Sequence, residues 1–197
     1  MRVIECEQGS EQWHTLRRGV ITASHAHCLL TPAKLKTYQY VILAEKLTGL
    51  KKPLLQSGAM EWGTSQESFA RVWYEVTTQQ KVQEIGFCFH QTEDIVGCSP
   101  DGLIKDDGLI EIKCPGSEKH LEYIVAGPSS EYTAQIQLQL LVTGRKWCDF
   151  VSYDPRMPSH LEGHITRVER DEAMILKLER GIQSIKNFIT EFTYHHE

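Results

Sequence analysis

Two short strings in this chain carry residue types that can do chemistry together: Ser99-Pro100-Asp101-Gly102 and, ten positions on from Asp101, Glu111-Ile112-Lys113. Side chains alternate faces along a strand, so Glu111 and Lys113 point the same way, roughly 6–7 Å apart. A glycine-containing turn after Asp101 brings that carboxylate back beside them, and two carboxylates and one ammonium then share a sheet face. Carboxylate oxygens are the hard donors that Mg²⁺ takes, and Mg²⁺ keeps several waters while accepting substrate phosphate oxygens. Such a cation lowers the pKa of a bound water and offsets charge at a phosphorus centre, while a neighbouring lysine orients the water or stabilises the anionic transition state. Hydrolysis of a phosphodiester at neutral pH is the chemistry this set suits. A plainer account makes Asp101 a turn residue and Glu111 with Lys113 a surface ion pair, which is common and weak. The string from Gly97 through Pro115, taken whole, is far more specific than an isolated Glu-x-Lys.

The surrounding pattern supplies elements to position these groups. Ser10 can cap a turn through Trp13 and Leu16, Thr22 or Ser24 another through Leu30, and a third helix fits Leu35 to Leu47. From Ala59 to about Val76, the residues Trp62, Phe69, Trp73 and Val76 fall on one helical face, as in a helix laid against a core. Three strand-like segments follow at Val82–His90, Ile95–Ile104 (with the Ser-Pro-Asp-Gly bend inside it) and Leu109–Lys113, the last after the turn signal Asp106-Asp107-Gly108. Ala134–Val142 fits a strand by alternation and a helix by length. Trp147–Tyr153 and His164–Val168 read as strands, and Glu172–Thr193 as a long amphipathic helix whose apolar stripe is expected to pack on its own sheet.

Composition bounds the class. The 197 residues carry 21 Lys and Arg against 26 Asp and Glu, a net charge of −5, with 41% hydrophobic and 24% charged residues. That is a globular composition in a chain long enough to bury a core without disulfides or metal, and it excludes disordered and collagen-like classes. One domain over residues 1–197 is expected, with loops at Thr31–Lys36, Leu50–Gly58, Gly127–Ser130 and Asp154–Gly163. The N-terminus shows no signal-peptide pattern and no run approaches the roughly 18 apolar residues of a membrane span, so a soluble, unexported protein is expected. The six cysteines are scattered singly and read as reduced thiols. The acidic total argues against a protein that coats nucleic acid. The basic pairs Arg17-Arg18, Lys34 with Lys36, Lys51-Lys52 and Arg145-Lys146 each read as solvated surface. The nine histidines, His25 with His27 and His195-His196 among them, read as surface or structural residues.

Taken in order, the motifs resemble the PD-(D/E)xK nuclease superfamily and, within it, the lambda-exonuclease and YqaJ-like viral recombinase family. The residues that carry the resemblance are the run from Trp13 through Ser24; Trp62-Gly63 with Glu67; Cys98-Ser99-Pro100-Asp101-Gly102; Glu111-Ile112-Lys113-Cys114-Pro115; Ala134-Gln135-Ile136-Gln137; Tyr153-Asp154-Pro155-Arg156-Met157; and Glu169-Arg170-Asp171-Glu172. The resemblance implies an α/β, restriction-endonuclease-like core, a central mixed β-sheet flanked by helices. It implies a metal site of Asp101, Glu111 and the backbone carbonyl of Ile112, with Lys113 as catalytic lysine and Glu67 supporting a second Mg²⁺, for which Mn²⁺ can stand in. It also implies a pocket for a terminal 5′-phosphate from Arg17, Thr22, Ser24, Ser99 and Gln135, and a strand-separating wedge at Met60. Arginine makes bidentate bonds to phosphate and hydroxyls add donors beside a helix start, so the pocket is chemically coherent.

The activity so implied is processive 5′ to 3′ digestion of one strand of linear double-stranded DNA, releasing 5′-mononucleotides and leaving a 3′ tail for a single-strand annealing protein. The resemblance further implies a homotrimeric ring acting in the cytoplasm of a bacterial host, encoded by a phage or prophage. Two other readings compete. An endonuclease or repair nuclease of the same superfamily shares the Asp101, Glu111 and Lys113 core but gives no reason for the Arg17–Ser24 segment. A non-catalytic DNA-end-binding scaffold is expected to have lost at least one of Glu67, Asp101, Glu111 and Lys113, and all four are present.

Overall fold

The computed structural model describes residues 1–50 and 58–196. The Lys51-Lys52 pair and most of the Leu50–Gly58 loop lie outside the described residues. In chain order the elements are β1 (Arg2–Ile4), α1 (Glu11–Leu16), β2 (Ile21–Thr22), a 3-10 helix (Ala23–Leu29), α2 (Pro32–Thr48), α3 (Gly58–Thr78), β3 (Val82–Gln83), β4 (Phe87–Phe89), β5 (Val96–Cys98), β6 (Gly102–Ile104), β7 (Gly108–Lys113), α4 (Ser117–Ala126), α5 (Ser130–Thr143), β8 (Trp147–Tyr153), β9 (Gly163–Glu169) and α6 (Glu172–His196). The α/β class is as expected, with two mixed sheets in place of one. A five-stranded sheet runs β3-β6-β7-β8-β9, with β7 and β8 parallel, and a four-stranded sheet runs β1-β4-β5-β2, with β5 and β2 parallel.

Each of the first two strand-like segments is therefore two strands in different sheets. Val82 pairs with Ile104 and Gln83 with Leu103 in the larger sheet, while Cys88 pairs with Cys98 and Phe89 with Gly97 in the smaller. All four pairs belong to one hairpin register, which crosses from sheet to sheet without slipping. The interruption falls at residues 84–86 and 99–101, where Pro100 has no N–H to give a ladder. The N-terminal segment fills the gap: Gln8 Nε2 donates to the carbonyls of Ile85 (3.0 Å) and Pro100 (3.1 Å). Gly86 is glycine for the same reason, since a Cβ there would stand 2.5 Å from the Cys6 carbonyl oxygen.

Helices cover both faces of the larger sheet. Ala70 and Tyr74 of α3 pack on Ile104, Ile110, Ile112 and Val151. On the other face Tyr123 of α4 and Ile136 and Leu140 of α5 pack on Leu109, Cys148 and Phe150. The periodicity of α3 misleads: Phe69, Val72 and Val76 are exposed, and the buried face is that of Ala70 and Tyr74. Tyr74 fixes this rotation, because its hydroxyl donates 2.6 Å to Asp149 on β8, whose carboxylate also binds Arg167. The ambiguous segment resolves as α5, capped by Ser129 and closed by Gly144 in the left-handed region. The stripe on α6 packs within the chain, on the 3-10 helix, α2 and α5 more than on a sheet, with Leu178, Ile182 and Ile185 buried beside Leu29, Ile42 and Leu138. Arg145, expected at the surface, is buried and donates from Nη1 to the carbonyls of Ile104, Lys105 and Gly108, which holds the β6–β7 turn closed. All six cysteines are free thiols.

Candidate active site

Alternation along β7 sends Ile110 and Ile112 toward α3 and Leu109, Glu111 and Lys113 toward α5. Glu111 is only 1% exposed. Its Oε1 accepts from Lys113 Nζ and from Gln135 Nε2, both at 2.6 Å, and its Oε2 accepts from Gln139 Nε2 at 2.6 Å. Gln135 and Gln139 stand one turn apart on α5, so two amides and an ammonium fix the plane of one buried carboxylate. Lys113 Nζ also lies 4.9 Å from the ring centroid of Tyr132. Burial disfavours the ammonium, yet Glu111 and Asp101 outweigh it and hold the Lys113 pKa above its ordinary value.

Asp101 follows the sheet crossover. Its N–H donates to the Ile110 carbonyl at 3.2 Å, and its Oδ2 accepts from the Ile112 N–H at 2.6 Å. The last β6–β7 pair is Gly102 with Ile110, so Ile112 lies two residues past the end of that ladder. Burial first, then Glu111 and Glu67, push the Asp101 carboxyl well above the usual carboxylate range, and Lys113 offsets this only in part. Glu67 belongs to the inward side of α3, one turn before Ala70, and not to an ordinary solvent face. Burial raises its pKa against the pull of Arg71 and Lys113. Arg71 bridges Glu67 at 2.9 Å and Glu84 at 2.7 Å. A cleft of about 1090 Å³ opens onto Glu67 and Asp101 between Gln8, Trp13, Arg71 and Glu84.

The Arg17 set assembles beside this centre. Ser10 caps α1 through the Trp13 N–H at 3.2 Å. The Arg17 guanidinium carbon then lies 3.9 Å from the Trp13 ring centroid, and Trp13 Nε1 donates to Ser99 Oγ at 2.7 Å. Arg17 Nη2 donates to Ser24 Oγ at 3.3 Å, while its Nε is buried with no partner among the described residues. Burial pulls the Arg17 pKa down to about 10. Thr22 and Ser24 were candidate helix caps, but their hydroxyls do not cap the 3-10 helix. They meet each other at 3.3 Å and His25 Nδ1 at 3.1 and 3.3 Å. His25, stacked on Tyr38 with centroids 5.4 Å apart, thus belongs to this polar group.

A second arginine lies past the C-terminal end of β7. Arg156 donates from Nε to Asp154 Oδ1 (2.7 Å) and from Nη2 to Asp154 Oδ2 (3.0 Å) and the Pro115 carbonyl (3.2 Å), with its guanidinium carbon 4.5 Å from the Trp62 ring centroid. Asp154 is fully buried and also accepts from Ser117 Oγ at 2.7 Å.

Glu67, Asp101, Glu111, Ile112, Lys113 and Gln135 therefore come together, and Arg17, Thr22, Ser24 and Ser99 form an adjoining cluster. Met60 lies on the exposed first turn of α3. Sequence reasoning names neither Gln139 nor Arg71 as a site residue, and it gives Trp13 and His25 no part in the site. Gln139 carries a signal that helical reading supplies: at i+4 from Gln135, a second amide recurs on one face.

Known proteins resemble this chain in sequence and fold. The YqaJ-like viral recombinase domain matches residues 12–146. The alkaline exonuclease LHK-Exo from Laribacter hongkongensis is 40% identical, with 94% of this chain and 95% of that one aligned at a TM-score of 0.87, and its complex with dAMP aligns equally well. A phage-related exonuclease from Haemophilus somnus 129PT shares the fold at 12% identity and a TM-score of 0.69, over 93% of this chain and 99% of that one. Among curated proteins, R354 of Acanthamoeba polyphaga mimivirus is 25% identical over 166 residues, which is 76% of this chain; the chain spans 30% of that relative's length. The fold and the carboxylate–lysine centre define an α/β protein of the exonuclease-like type. The chain belongs to the YqaJ-like viral recombinase family.

Proposed function

We propose that this chain is an exonuclease that hydrolyses one strand of linear double-stranded DNA from its 5′ end, releasing 5′-mononucleotides and leaving a 3′ single-stranded tail. The observation that carries the reading is Arg17, a half-buried guanidinium stacked on Trp13, bonded to the Ser24 hydroxyl and without an ion pair among the described residues, joined through Trp13 and Ser99 to Asp101. A partly desolvated cation without an anion beside it is left under-compensated, and a terminal phosphate is an anion of matching shape. Family membership and the likeness to an alkaline exonuclease solved with dAMP support the same reading.

The donor set fits a divalent cation. Glu111 and Glu67 raise the proton affinity of Asp101, and Glu111 raises that of Glu67, a repulsion that a cation relieves. Among the described residues, no three His, Cys, Asp or Glu side chains stand as a ready-made metal site, so the Asp101 and Glu111 carboxylates and the Ile112 carbonyl would hold Mg²⁺ or Mn²⁺ with water completing the shell, and Glu67 would support a second. When bound, the cation supplies a water of lowered pKa and offsets charge at the phosphorus. The residues of the chain do the rest. Lys113, kept as an ammonium, stabilises the anionic transition state; Gln135 and Gln139 hold Glu111 in one orientation; Arg17, Thr22, Ser24 and Ser99 bind the terminal phosphate; Met60 wedges the duplex end. A closed ring of three copies accounts for processive digestion by a chain of net charge −5, and the 3′ tail passes to a single-strand annealing protein in the cytoplasm of a phage-bearing bacterial host. No helix among the described residues is long and apolar enough to cross a membrane.

The test is digestion of linear duplexes bearing 5′-phosphate or 5′-hydroxyl ends and of a covalently closed circle, with Mg²⁺ and with Lys113→Ala as control. Preferential loss of the phosphorylated strand, an intact circle and an inactive variant are expected. A cut circle would make the chain an endonuclease, and end binding without cleavage would make it a scaffold.

A further inference from the structure

We propose that Arg156 is a second phosphate contact, binding the phosphodiester next to the scissile one on its 3′ side. The inference rests on the reading of duplex DNA as substrate. Three of the five guanidinium N–H groups are committed: Nε and Nη2 to the Asp154 carboxylate and to the Pro115 carbonyl. Nη1 has no hydrogen-bond partner among the described residues, so its two N–H groups remain. The group carrying them cannot swing away, because Trp62 lies beneath it and Asp154 is itself held by Ser117 and by the Arg156 backbone N–H at 3.1 Å.

Asp154 is a structural anion behind the cation and does not cancel it at the surface. The carboxylate side chain is 0% exposed and the Arg156 side chain 49%. What faces solvent is a rigid, planar donor edge, the form in which arginine recognises phosphate oxygens. Its position gives the polarity. Pro115 is two residues beyond Lys113, whereas the Arg17 cluster joins the centre through Ser99 at the Asp101 side. A strand whose terminal phosphate lies at Arg17 and whose scissile phosphate lies at Asp101 and Lys113 next meets Arg156.

Replacing a single phosphodiester by an uncharged methylphosphonate tests the contact in the unaltered protein. Release of the first nucleotide is followed in a single turnover from duplexes carrying the replacement at the linkage immediately 3′ of the scissile one, or several linkages further in. The near replacement is expected to slow the wild-type chain about tenfold and the far one to leave it unchanged. Arg156→Gln is expected to be slow on normal DNA and indifferent to the near replacement, and Arg156→Lys to be intermediate. In Ca²⁺, where binding is read without cleavage, the salt dependence of end binding should lose about one phosphate's worth of slope in Arg156→Gln. Should that variant not fold, the wild-type comparison of the two linkages decides. A wild-type chain that cuts DNA but ignores the near replacement, or a variant slowed by it as much as wild type, overturns the contact alone. A chain that neither binds nor cuts duplex ends overturns the proposed function and this contact with it.

Discussion

Arg17 lies on Trp13 and Arg156 on Trp62, with guanidinium carbons 3.9 and 4.5 Å from the ring centroids, the first joined to the carboxylate–lysine centre through Ser99 before Asp101 and the second through Pro115 after Lys113. Their surroundings differ in one respect. Arg156 has a buried carboxylate across two hydrogen bonds, and its pKa is raised by that partner. Arg17 has hydroxyls, an orphaned Nε and a pKa brought down to about 10 by burial. Arg156 has its counter-charge within the chain and keeps one free edge, while Arg17 has no anion paired with it among the described residues. A site kept short of its counter-charge spends folding free energy on readiness to bind, and the contrast shows which of two similar motifs does so.

The largest expected effect comes from removing Arg17. Arg17→Ala should lower kcat/KM on 5′-phosphorylated ends about a hundredfold, or ~3 kcal/mol, and bring the ratio of phosphorylated to hydroxyl ends near one, while the melting temperature changes little because a half-buried cation without an ion pair is gone. Arg156→Ala should behave the other way in a thermal melt. It leaves Asp154 buried with Ser117 as its main remaining partner, at a cost of about 2 kcal/mol. Acid titration reads the same pair more gently. Burial works against the Asp154 carboxylate, but Arg156 and Ser117 outweigh it and bring its pKa from 3.8 to about 2 in the folded chain. The pair's contribution is whole above about pH 4 and is lost as the pH falls through 2, so the gap in melting temperature between wild type and Asp154→Asn should narrow over that window. The smallest effects belong to the rings. Trp62→Phe should cost less than about 1 kcal/mol of stability, and Trp13→Phe should do the same to stability while also weakening phosphate preference, since it alone frees Ser99. Equal behaviour of the two tryptophan variants on phosphorylated ends would break the comparison.

Much of the centre is legible from local pattern. Glu111 and Lys113 share a face because strands alternate, and Asp101 returns to them because the turn at residues 105–107 folds β6 back antiparallel on β7. What pattern could not show is where a long hairpin changes sheets. Val82–His90 and Ile95–Ile104 each satisfy strand propensity throughout, and only the pairing of Gln8 with Ile85 and Pro100 reveals the break. Helix α3 failed for a related reason: its large apolar residues describe a stripe, yet a small residue, Ala70, and the hydroxyl of Tyr74 determine which face turns inward. Glu67 was hidden by that error. Propensity ranks side chains by size and apolarity, and here a buried hydrogen bond to Asp149 outweighs the ranking.

The crossover at Ser99-Pro100-Asp101 has one more consequence under the proposed function. The residue that meets the terminal phosphate and the residue that meets the scissile one are separated by a single proline with a fixed φ, so their α-carbons can never be more than about 7 Å apart. That tripeptide is a ruler. It sets how much nucleic acid fits between the end that is held and the bond that is cut, so the size of each released piece is written into covalent geometry and would survive changes elsewhere in the cleft.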